Sequence, residues 1–175
     1  LRPPGGAVDI AGFLLAQWPG YVAYVISFLL IGLVWANHHT MFERIGRGDR
    51  VLLFLNTLLL MDVAFMPFVA SVLADAIRAG RGLTPAVVAY GSTLVVGGIF
   101  FNLVWEWARR RPGLLADRVN RGEVGRIALG FWAGPTCYLV GTLLGLVVPS
   151  AAIAIFAALI LIYWLPVWEL RRHHS

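Results

Sequence analysis

The chain has 175 residues, 59% of them hydrophobic and 13% charged, and that charged share is about half of the roughly 25% usual in soluble domains. An ordinary soluble domain is excluded, and the chain reads as a membrane protein. Its net charge of +5 comes from arginine alone; the arginines sit in the short stretches between apolar runs, which fits the positive-inside rule and not a nucleic-acid footprint.

In chain order, residues 1–17 open with a Pro/Gly stretch in which Arg2 precedes two prolines, a pattern unlike a secretory signal peptide. Asp9 can cap a short helix, and Phe13, Leu14 and Leu15 suit the membrane interface, so an interfacial segment is expected over residues 9–17. The first span is expected over 19–37, because Pro19 to Ala36 carries no charge and a helix needs about 20 apolar residues to cross hydrocarbon. A link with Arg44, Arg47 and Arg50 follows.

The second span, 51–73, contains Asp62 and Pro67, and the loop after it holds Arg78 and Arg81. Pro85 suits the first turn of a third span, 85–104, which closes on Trp105 and Trp107 as interfacial anchors. Arg109, Arg110, Arg111, Arg118, Arg121 and Arg126 crowd the next link. From Ile127 to Trp168 no charge occurs for 42 positions, about 63 Å as one helix, which is twice the hydrocarbon thickness. The run must fold back, and Pro149-Ser150 divides it into spans at 127–148 and 151–165, with Trp164 and Trp168 at the exit before Arg171 and Arg172.

Five alternating spans put 11 of the 14 arginines on one side, which is then the cytoplasm and holds the C-terminus. Leu1 is expected outside, and a further helix before it would make six. The fold class is therefore all-α: a polytopic membrane protein in one transmembrane domain, 1–175, with five spans present of an expected six.

Few residues suggest chemistry. Asp62 is the single carboxylate at membrane depth, where a charge costs at least about 2.5–3.5 kcal/mol, so it should be protonated, paired or facing a wet cavity. His38 and His39 point about 100° apart on a helix and cannot both ligate one ion; only Glu43, four after His39, stands at a useful distance, and no metal site is expected. Gly130, Gly134, Gly141 and Gly145 form two GxxxG pairs on one stripe suited to close helix packing, with Pro135 inside it. Cys137 has no partner for an intrachain disulfide. No phosphate-binding loop, carboxylate pair, nucleophile elbow or cysteine cluster appears, so neither enzymatic activity nor a cofactor is expected.

Trp18-Pro19, Tyr24, Ser27-Phe28, Trp35, Asn37-His38-His39 and Phe42, followed by Asn56, Phe65, Pro67 and Phe68, resemble the second and third transmembrane helices of the TMEM175 family (DUF1211) of cation channels. The W-x-N-H-H segment is the specific part, and the later helices match as hydrophobic spans. The resemblance implies a six-helix subunit in a tetramer that leaks potassium through a central pore, with protons also permeant in some members. It implies that a first helix lines that pore and carries an R-x-x-x-F-S-D motif, a string absent from these 175 residues. Trp35, Asn37 and one or both of His38 and His39 would hold that helix in place.

The expected function is thus a potassium-permeable channel subunit in the plasma membrane, with potassium, protons as a second candidate ion, the bilayer and further copies of the chain as partners. A proton-coupled transporter using Asp62 and a non-conducting membrane scaffold are the alternatives.

Overall fold

The computed structural model describes residues 10–111, 113–117, 119 and 121–164. The expected cap at Asp9 and the exit at Trp168, Arg171 and Arg172 lie outside them. Among the described residues six helices follow one another: α1 (Ile10–Ala16), α2 (Trp18–Phe42), α3 (Arg50–Ala79), α4 (Leu83–Arg110), α5 (Arg121–Gly145) and α6 (Pro149–Trp164). The all-α polytopic class expected from the sequence is what the chain adopts. α2 to α5 are long and apolar enough to cross a membrane, and α6 is a shorter apolar helix of 16 residues, about 24 Å.

Local chemistry sets the ends. Gln17 leaves the helical course between α1 and α2, and Pro19 occupies the first turn of α2, where its missing N–H costs nothing. Asp49 caps α3 by accepting from the Leu52 N–H at 2.8 Å. Gly80 and Gly82, with φ of 63° and 70°, make the reversal between α3 and α4, a backbone that only glycine adopts freely. Pro149 opens α6 after the turn at residues 146–148.

Several helices outrun their apolar stretches. α3 continues to Ala79, α4 to Arg110, and α5 starts at Arg121, because arginine is a good helix former and the ends project past the hydrocarbon. Trp105 and Trp107 are therefore not the interfacial anchors at the end of a span. Trp105 is 1% exposed and meets Phe131 of α5 edge-to-face, with centroids 5.7 Å apart. Trp107 donates its Nε1–H to both oxygens of Asp49, at 3.1 and 3.0 Å, and carries the Arg111 guanidinium 4.3 Å above its ring.

At this arginine-rich end the two long links clasp each other. Gly46 N–H donates to Leu114 O at 2.8 Å and Ala116 N–H to Arg44 O at 3.0 Å, forming an isolated antiparallel bridge between Ile45 and Leu115. A Cβ on Gly46 would stand 3.1 Å from Ala116 Cα, so a larger residue there would push the two links apart by a few tenths of an ångström.

Two apolar cores hold the helices. One joins α2, α3, α4 and α6 through Leu30, Met66, Val87, Leu94, Ala152 and Phe156; the other joins the arginine-rich ends through Met41, Leu52, Val104, Trp105 and Ala128. Lipid tails are as apolar as leucine, so packing and interhelical hydrogen bonds hold such a bundle together more than escape from water does.

Candidate functional site

The last turns of α2 carry the W-x-N-H-H segment, and the helix separates its residues. His38 turns toward α3: its Nε2 lies 2.7 Å from Asn56 Oδ1, and its ring stacks on Phe42 with centroids 4.3 Å apart. An amide oxygen only accepts, so this contact has Nε2 protonated and donating. His39 lies on the other side, stacked on Trp35 at 5.4 Å with the rings 8° from parallel, and its Nε2 is 3.4 Å from Glu43 Oε1. Trp35 is 65% exposed, and Asn37, also exposed, donates to the Leu33 carbonyl at 3.1 Å. The segment thus offers His38 to α3 and an outward pair, Trp35 stacked on His39, while Asn37 points away from that pair, about 200° round the helix from Trp35. Among the described residues no three His, Cys, Asp or Glu side chains come together as a metal site.

Between the two cores lies a cleft of about 160 Å³. Residues of α2, α3, α4 and α5 line it, including Asn37, Asp62, Phe101, Gly134 and Tyr138. Asp62 is half-buried there, with its carboxylate against Gly97, where an added Cβ would overlap Oδ2. No hydrogen bond or ion pair to Asp62 occurs among the described residues.

The glycine stripe of α5 divides along its length. A Cβ on Gly141 or Gly145 would come within 2.8 Å of Phe156 and Val87 respectively, so this half of α5 packs tightly on α6 and α4. Gly130 and Gly134 border the cleft instead, and a Cβ on Gly130 would meet nothing within 4 Å.

Two residues not singled out as functional in the sequence belong to this region. Asn56 is the partner of His38, and Asn102 donates its amide to Gly98 O at 2.8 Å and to Phe131 O at 3.0 Å, joining α4 to α5. Their signal was an amide inside an apolar run, where a polar group must find a partner.

A potassium channel of Streptomyces collinus is 37% identical over 161 residues, which cover 91% of this chain and 76% of that protein. The chain belongs to the TMEM175 family. Residues 4–67, which include the W-x-N-H-H segment, match the family described as the endosomal/lysosomal potassium channel TMEM175. A potassium channel of Chamaesiphon minutus is 37% identical over 133 residues, 76% of this chain and 65% of that one. The crystal structure of a lysosomal potassium-selective channel TMEM175 homolog from Chamaesiphon minutus superposes with a TM-score of 0.76 at 30% identity, covering 93% of this chain and 83% of that chain. This TMEM175-family chain is accordingly a multi-pass membrane protein with the helical bundle of its relatives.

Proposed function

We propose that the chain is a subunit of a potassium-permeable, leak-type cation channel that conducts passively through a central pore. It works as a homo-tetramer in the plasma membrane, with the C-terminus cytoplasmic and Leu1 on the outer side. The observation that carries this reading is the 37% identity over 91% of the chain to a protein named a potassium channel.

The geometry supplies a mechanism for the support of the pore. His38 is committed to Asn56 and fixes the end of α2 on α3, while Trp35 and His39 stand outward as a stacked pair of rings. Such a pair suits a further helix that carries polar groups of its own, the role expected of the pore-lining helix. α3 to α6 then form the outer scaffold. A proton-coupled cycle through Asp62 is less favoured: among the described residues no histidine, arginine, cysteine or second carboxylate lines its cleft.

The test is ion flux from liposomes, potassium against sodium, for this chain and for the chain extended upstream by a helix bearing R-x-x-x-F-S-D. Potassium-selective flux in the extended form supports the reading. Absence of cation flux from both forms, with folded protein in the bilayer, contradicts it.

A further inference from the structure

The cleft between the two cores has a chemistry that permeation along a central axis does not use. Its walls are mostly apolar, and among the described residues no cationic side chain lines it and none pairs with the half-buried carboxylate of Asp62 that it holds. Gly97 leaves room for that carboxylate, since any side chain there would displace it. Asn102 adds a second acceptor. Both N–H groups of its amide are engaged by the Gly98 and Phe131 carbonyls, which leaves the amide oxygen as its remaining polar capacity. Phe101 and Phe131, whose rings meet edge-to-face at 5.0 Å, line the same space.

A carboxylate in such surroundings calls for a positive partner, and aromatic faces favour a cation as well. The apolar walls call for an apolar body. The volume, about 160 Å³, is close to that of the roughly 150 Å³ engineered cavity that admits benzene. We propose that this cleft is a binding site for a small lipophilic amine in its protonated form, with one ring in the apolar space and the ammonium on Asp62 and the Asn102 carbonyl oxygen. The ligand reaches it from the bilayer, where such amphiphiles concentrate.

The experiment compares benzylamine with benzyl alcohol, which has the same ring and no charge at neutral pH. Both are titrated by saturation-transfer NMR onto the full chain in nanodiscs of neutral phosphatidylcholine, with empty nanodiscs subtracted. Benzylamine should bind at least about tenfold more tightly, the scale of one charge-assisted contact. Asp62→Asn should bring the two affinities together. Gly130→Phe, which keeps Asp62 and fills the cleft from a position open in the structure, should weaken both ligands. The proposal is overturned by equal binding of the two in the parent protein, by an amine preference that survives Asp62→Asn, or by benzylamine binding that Gly130→Phe leaves unchanged. Should Asp62→Asn fail to fold, the parent comparison and Gly130→Phe decide it alone.

Discussion

The side-chain amide of Asn102 donates to the backbone carbonyl of Phe131, 3.0 Å away on the neighbouring helix. The reason lies four residues on: Pro135 has no N–H, so the Phe131 carbonyl lacks its regular i+4 donor in α5. An unpaired carbonyl is costly at membrane depth, and α4 supplies the missing donor. One proline thus creates the acceptor that fastens two transmembrane helices together beside the cleft.

Removing that donor should cost stability only while the proline is present. Asn102→Leu is expected to destabilise the bundle by about 1 kcal/mol, the usual scale of an interhelical hydrogen bond in a membrane. Pro135→Ala restores the intrahelical donor, so the double variant should lose less than the sum of the two single ones. Thermal unfolding of the four proteins in detergent measures the coupling, and strict additivity would refute the compensation.

His38 and His39 should differ in what they do for folding. His38→Phe removes the contact with Asn56 and leaves its amide oxygen unpaired, an expected loss of about 1 kcal/mol. His39→Phe keeps a ring beside Trp35 on an exposed face and should stay within about 0.5 kcal/mol of the parent. Paired unfolding curves settle the ranking. If His39→Phe is the more damaging, the bundle-facing role belongs to the other imidazole.

The Leu52 N–H and the Trp107 Nε1–H, both donating to Asp49, hold its carboxyl below the ordinary carboxylate range, with the Arg111 charge adding to them. A carboxyl depressed in the folded state adds stability above its unfolded pKa and loses it as pH falls through the folded value. Acidification should therefore loosen the cap of α3 together with its tie to α4. The fall in unfolding temperature between pH 5 and about pH 3 should be smaller in Asp49→Asn than in the parent. Equal falls would mean that the cap does not titrate as this geometry requires.

Gly97 and Asp62 should be coupled with a change of sign. Alone, Gly97→Ala forces its methyl onto the Asp62 carboxylate and should destabilise. In an Asp62→Ala background the space is free, and the better helix propensity of alanine should make the same change stabilising by up to about 1 kcal/mol. Equal effects of Gly97→Ala in the two backgrounds would show that the carboxylate does not lie against α4.

Much of this architecture was legible in the sequence because apolar runs, arginines and prolines mark where helices cross and turn. The break at Pro149 follows from length alone: 42 uncharged residues exceed one bilayer crossing. The far ends of α3 and α4 were less legible, since arginine and tryptophan beyond the hydrocarbon continue a helix as readily as they end one. Trp105 looked like an interfacial ring because its burial depends on Phe131, 26 positions later and on another helix. Asp62 was conspicuous as a lone acid; that Gly97 faces it, and that Asn102 answers Pro135, are crossings between helices that no spacing within one helix reveals. The separation of His38 from His39 was legible as an angle, but which of them meets α3 depended on how α2 is rotated.

The reversal potential of the chain, extended by an upstream helix bearing R-x-x-x-F-S-D, in a planar bilayer with independent potassium and proton gradients decides between a passive pore and a proton-driven cycle. A passive potassium-permeable pore predicts a reversal potential that follows the potassium gradient and stays put when the proton gradient alone is changed. A reversal potential that moves with the proton gradient at fixed potassium, and returns when Asp62→Asn is introduced, would contradict that account and make the intramembrane acid the centre of transport.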